Sequence, residues 1–208
     1  GYAALDLEDT GTDSVAIGYN ALTTQNSDAA NYNVAVGSSA GAAVTTGIRN
    51  TLIGALSADS LTDADFNVAV GWAALTTDTL GSNSTAVGYR SLANQNFTTA
   101  TDTYNVAVGF QAGVNVTTGI KNTLIGGLAG DAITDADSNV AIGFESLTTN
   151  ILGSKSVAVG QGTLSDQNPA TAVDMYNTAV GYNAGSGVTT GIQNTIIGGL
   201  AGDALTDA

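Results

Sequence analysis

The sequence has no cysteine, no histidine, a single proline and only four basic residues among 208. Without thiol or imidazole there is no thiolate nucleophile, no zinc site of the usual kind and no Ser–His dyad. Four scattered Lys and Arg leave no footprint for DNA or RNA, and an acidic chain is repelled by phosphate, so no nucleic-acid partner is expected. No apolar run reaches membrane-spanning length, so the segment is not expected to be membrane-embedded. The missing cysteine fits any redox compartment and locates nothing.

What is present is equally uneven. There are 27 glycines, 18 acidic residues and a net charge of −14, yet 43% of the residues are hydrophobic. That is too apolar and too β-branched for a disordered chain. The glycines follow no three-residue period, which excludes collagen.

Internal repetition dominates the chain. A five-residue motif, Asn/Ser–Val/Thr–Ala/Leu/Ile–Val/Ile–Gly, recurs eleven times and closes at Gly18, Gly37, Gly54, Gly71, Gly88, Gly109, Gly126, Gly143, Gly160, Gly181 and Gly198. Successive glycines lie 17 residues apart, except for one spacing of 19 and two of 21. Gly1 with Tyr2-Ala3-Ala4-Leu5 matches the tail of a further copy, Gly71-Trp72-Ala73-Ala74-Leu75. A longer period lies above the short one: Gly37, Gly109 and Gly181 are 72 residues apart, as are Gly54, Gly126 and Gly198. Four types of short unit therefore make one long unit. The fourth type is the longest and carries Gln95-Asn96 or Gln167-Asn168. The chain begins within a third-type unit and ends within a second-type unit, which reads as one repetitive segment, residues 1–208, of about twelve coils from a longer fibrous protein.

A unit of 17 residues is too short for a helix pair or a propeller blade. It suits one coil of a β-solenoid. Val-Ala-Val-Gly and Thr-Leu-Ile-Gly supply short strands between Asn and Gly turns. The expected fold is an all-β parallel solenoid of 17–21-residue coils, with each motif paired in parallel to the next. The longer spacings are expected as loops outside the core, near Asn26–Asn31, Asn96–Thr103 and Asn168–Asp174.

Two apolar rows run along the motif and must point opposite ways. The β-branched row, Ile17, Val36, Ile53, Val70 and their counterparts to Ile197, is expected to fill the coil. The row before it, Ala35, Leu52, Ala69, Ala86, Ala107, Leu124, Ala141, Ala158, Ala179 and Ile196, would then face outward. So long an apolar patch calls for cover by another chain. The Asn/Ser column, Asn33, Asn50, Asn67, Ser84, Asn105, Asn122, Asn139, Ser156, Asn177 and Asn194, reads as stacked turn caps.

Asn-Val-Ala-Val-Gly and Ser-Val-Ala-Val-Gly with small residues following resemble the YadA-like head repeats of trimeric autotransporter adhesins. Runs such as Asn177-Thr178-Ala179-Val180-Gly181-Tyr182-Asn183-Ala184-Gly185 are similar to repeats of phage tail fibres. The resemblance covers essentially the whole chain. It implies a left-handed parallel β-roll assembled as a homotrimeric fibre, with the outward row as the trimer interface. The adhesin repeat is shorter than this one, and the extra residues are expected as bulges on the outer side.

Other candidate sites weigh less. The aromatics after the motif glycine, Tyr2, Tyr19, Trp72, Tyr89, Phe110, Phe144 and Tyr182, could bind glycans, but lateral packing over the coil corner is the favoured reading. Thr pairs such as 45–46 and 76–77 fall at different offsets from the glycine and would not form an ice-binding array. Asp63, Asp65, Asp135 and Asp137 could hold a calcium ion. The favoured alternative is partial neutralisation by Arg49, Lys121 and Lys155 from neighbouring coils. No catalytic constellation, cofactor fingerprint or phosphate loop is present.

The expected function is accordingly non-enzymatic. The chain reads as a structural and adhesive segment of an extracellular trimeric fibre. A phage tail or side fibre contacting a host receptor or glycan comes first, and a bacterial surface adhesin second. An ice-binding or polysaccharide-degrading solenoid ranks below both.

Overall fold

A computed structural model describes residues 1–207, which fall into two compact units, Gly1–Tyr104 and residues 105–207. Each is a parallel β-solenoid, and no helix occurs among the described residues. In the first unit the motif strands are Val15–Ile17, Val34–Val36, Thr51–Ile53, Val68–Val70 and Thr85–Val87. In the second they are Val106–Val108, Thr123–Ile125, Val140–Ile142, Val157–Val159, Thr178–Val180 and Thr195–Ile197. Within each unit every strand pairs in parallel with the next, in the register that the motif spacing gives. Val36 lies beside Ile53, and Ile53 beside Val70.

The longest coils bulge where the spacing lengthens. Within these bulges Thr101–Asp102 pairs with Gly81–Ser82, and Val173–Asp174 pairs with Gly153–Ser154. In the shorter first copy only a single bridge, Thr12 to Ala30, survives.

The side-chain directions reverse the expectation for the two apolar rows. Ala35, Leu52, Ala69, Ala86, Ala107, Leu124, Ala141, Ala158 and Ala179 are fully buried inside their own coil, and Ile196 is 7% exposed. They are core residues, not a trimer interface. The β-branched residues on either side of them point out. The physical reason is volume. Each interior position is followed six places later by a second one, and no coil carries a large side chain at both, while at Ala35/Gly41, Ala107/Gly113 and Ala179/Gly185 both are small. Ala69 and Ala141 are followed by buried Leu75 and Leu147, whereas Leu52 and Leu124 are followed by Ala58 and Gly130. A Cβ on Gly130 would meet a Leu124 methyl at 2.7 Å, so there is no room for two large side chains in one coil. A row of Val and Ile in every coil would overfill this space.

The Asn column closes the interior on one side. The Asn50 N–H donates to Asn33 Oδ1 at 2.8 Å, and the Asn67 N–H to Asn50 Oδ1 at 2.9 Å. Asn50 Nδ2 crosses its own coil to the Ala64 carbonyl at 2.8 Å. The same pattern runs through Asn105, Asn122 and Asn139. Each buried amide thus satisfies backbone groups that no strand partner reaches. Where Ser84 and Ser156 replace Asn, the side chains of Gln95 and Gln167 fill the gap and bond to the serine hydroxyls at 2.8 and 3.1 Å.

The motif glycines stack on one another with positive φ, for example +133° at Gly126. A Cβ there would lie 2.5 Å from the Gly143 carbonyl oxygen of the next coil. Only glycine allows this approach.

Candidate functional site: the outward strand face and its edges

Alternation along each three-residue strand turns its first and third residues outward. The result is a face of two ranks. Thr51 and Ile53, Val68 and Val70, and Thr85 and Val87 follow one another in the first unit. Thr123 and Ile125, Val140 and Ile142, and Val157 and Val159 do so in the second. None of these residues is charged, although the chain carries −14. Several are well exposed, including Ile53 at 39% and Val180 at 38%.

The face has two different edges. On one lies the residue before the Asn, which adopts positive φ in every complete coil: 57° at Arg49, 61° at Lys121, 62° at Lys155. Tyr32, Phe66, Tyr104 and Tyr176 share this edge, all about half exposed. The Arg49 guanidinium sits between two of these rings, 5.9 Å from Tyr32 and 5.4 Å from Phe66. On the other edge lies the residue after the motif Gly. Here Tyr2 stacks on Tyr19 at 5.7 Å, and Trp72 on Tyr89 at 5.2 Å, with ring planes within 13°. These rings are exposed, and they pack on each other along the coil axis.

The acidic positions do not do what the charge arithmetic suggested. Asp65 accepts the Ile48 N–H at 2.8 Å, and Asp137 accepts the Ile120 N–H at 2.8 Å. Asp63 accepts the Thr46 hydroxyl. Asp135 accepts the Thr118 and Thr117 hydroxyls at 2.7 and 2.8 Å, and these bonds hold its carboxyl below the usual aspartate range. Each carboxylate is thus taken up by donors of the coil 17 or 18 residues earlier. No group of three or more acidic side chains converges as a metal site among the described residues.

The basic residues go elsewhere, which corrects the expected pairing with Asp63, Asp65, Asp135 and Asp137. Their left-handed backbone aims them along the face edge. Lys155 pairs with Asp174 at 2.6 Å and reaches the Tyr176 hydroxyl at 3.3 Å. The hydrogen bond that Lys155 donates to Asp174, then the one it donates to Tyr176, raises the lysine pKa, and the same lysine lowers that of Asp174. Lys121 is exposed and makes no such contact.

Sequence reasoning missed the outward Val/Ile/Thr face and the Asp174 partner. The signal for the first was present in the interior residues and those six places on, where no coil carries two large side chains. The second depends on the bulge strand Val173–Asp174 returning to Gly153–Ser154, which spacing alone does not give. No pocket forms among the described residues, and none of their helices could cross a membrane, there being none. No family model matches the chain, and no curated protein or solved structure does so either.

Proposed function

We propose that the chain is a structural and adhesive segment of an extracellular homotrimeric fibre, coiled left-handed, most consistent with a phage tail or side fibre that contacts a host. The observation that carries this reading is the uncharged, β-branched face. It is exposed in a single chain, and burying it against further copies removes a continuous apolar strip from water. The interface in this reading is the outward Val/Ile/Thr face, not the interior Ala/Leu row. The repeated coils supply stiffness, and the bulges of the fourth-type coils are the surfaces on offer to a receptor.

Sedimentation of the whole chain tests the assembly. A trimer has three times the 20.5 kDa chain mass. Ile125→Asp should abolish assembly while the chain stays β-structured, because the carboxylate would be buried without a partner only in the oligomer. A monomeric wild-type chain at high micromolar concentration would remove the reading.

A further inference from the structure

The two edges of the outward face correspond in some of the coils. Where the edge before the Asn carries a long polar chain, the edge after the Gly lacks a ring. Arg49 shares its coil with Ala55, Lys121 with Gly127, and Gln193 with Gly199. In three of the four coils whose first edge carries a ring the second carries one too: Phe66 with Trp72, Tyr104 with Phe110 and Tyr176 with Tyr182, whereas Tyr32 shares its coil with Ser38. Within one chain these residues cannot touch. Six residues of extended backbone hold them roughly 15–20 Å apart, beyond the reach of a lysine. Any contact between the two edges is therefore made across two chains.

The Gly127 coil shows what the match builds. Its neighbours in the ladder carry Phe110 and Phe144, 55% and 46% exposed. Gly127 leaves a gap between them of about two strand spacings, near 9.6 Å. The Phe144 ring borders the gap, 3.4 Å from where a Gly127 Cβ would stand. On the opposite edge of the same coil is Lys121, exposed, with no side-chain hydrogen bond or ion pair among the described residues.

We propose that the slot over Gly127 receives the Lys121 ammonium of a second copy of this chain, held against the faces of Phe110 and Phe144. The occupant is chosen by charge and by level. A cation is attracted to ring faces, and parallel copies around one axis set the edge before the Asn of one chain against the edge after the Gly of the next, at the same coil. Antiparallel copies would set like edges together and lose the level match. The contact therefore fixes register as well as partner. It rests on the homo-oligomeric reading above and adds to it which edges meet.

The chain has no cysteine, so introduced thiols report without background. Lys121→Cys, Gly127→Cys and the double variant are treated with a short bismaleimide after sedimentation has given their mass. The double variant should yield covalent multimers up to the full ring, and neither single variant should link beyond monomer. Efficient linking of Lys121→Cys to itself would overturn the proposal, as would an oligomeric double variant that does not link. A monomer by sedimentation would instead bring down the assembly reading, and this contact with it. Gly127→Tyr gives a second test. The φ of Gly127 lies outside the left-handed region and its Cβ would make only ordinary contacts, so the coil should still form. Assembly should weaken at least about tenfold, and Lys121→Ala added to it should bring no further loss. Unchanged assembly of Gly127→Tyr would overturn the proposal.

Discussion

Two equivalent places in the two units solve one interior problem with different chemistry. In the first unit, fully buried Asp78 accepts from Gln95 Nε2 at 2.6 Å, the Phe97 N–H at 3.0 Å and the Gly81 N–H at 3.1 Å. Beside it the Thr103 and Ser84 hydroxyls bond at 2.6 Å. Seventy-two residues on, the second unit places Asn150, Gln167, Pro169, Met175 and Ser156 in the same positions. Asn150 accepts the Gly153 N–H at 3.0 Å and donates to the Gly153 carbonyl at 2.7 Å. Pro169 has no N–H to offer, so a carboxylate there would lack one of its three donors. The amide stands where the donor is missing, and the apolar Met175 stands where Thr103 needed a partner. The coil tolerates either network because each balances its own donors and acceptors.

The largest test of that comparison removes the carboxylate. Asp78→Ala removes the acceptor of one Gln95 amide N–H, whose other bond to Ser84 stays, and of two buried backbone N–H groups. It should lower stability by about 3–5 kcal/mol, measured by denaturant unfolding. Asn150→Ala strands fewer groups and should lose about 1–3 kcal/mol. Equal losses would show that the acid has no role that the amide does not fill.

Exchanging the two chemistries is the sharper experiment. Asn150→Asp should destabilise by roughly 2–3 kcal/mol, since the new carboxylate has too few donors. Pro169→Ala restores an N–H at the position of Phe97. In a double-mutant cycle it should recover about 1 kcal/mol of the Asn150→Asp loss. No coupling would mean that the proline is unrelated to the amide.

Acid should affect both units through other carboxylates. Burial opposes the charge of Glu8, but the Gln25 amide and the Gly11 and Ser27 N–H groups outweigh it and lower its pKa. In the second unit, hydrogen bonds from Thr118 and Thr117 lower that of Asp135, and the Lys155 hydrogen bond lowers that of Asp174. A carboxyl whose pKa is lowered on folding adds stability above its unfolded value. That stability is lost as pH falls through the folded value. Thermal melts should therefore be flat near neutrality and fall once the pH drops below about 4. Glu8→Gln should flatten part of that decline, and an unaltered profile would exclude Glu8 as a contributor.

The smallest effect belongs to the Lys155–Asp174 pair, whose side chains are each 43% exposed. Lys155→Ala should shift the melting temperature slightly at low salt and not at all at 1 M salt, where exposed charges are screened. A shift that persists at 1 M would point to packing on Tyr176 in place of charge.

Most of the fold was legible because it rests on local repetition. Motif spacing alone fixes that Val36 meets Ile53, and the lengthened spacings fix where the bulges lie. The orientation of the strands was not legible from alternation. Alternation says that Ala35 and Val36 point opposite ways, but it does not say which way is in. That choice depends on the width of the coil, visible only when Leu52 is set against Ala58 and Ala69 against Leu75. Asp78 escaped notice for another reason. A lone acid in a polar stretch looks like a solvated turn until the coil closes around it.

The stacked glycines bear on how such a chain can change over generations. Each motif glycine is required by the carbonyl of the next, so a substitution at Gly126 is opposed by Gly143, which an alteration at one site cannot move. Point mutation in this column is close to forbidden. Gain or loss of a whole 17-residue coil or 72-residue block leaves every glycine facing another glycine and the Asn/Ser column in step. Relatives of this chain should therefore differ in length by whole repeats far more readily than in the identity of the column, and recombination between copies, not base substitution, is the natural source of variation in their reach.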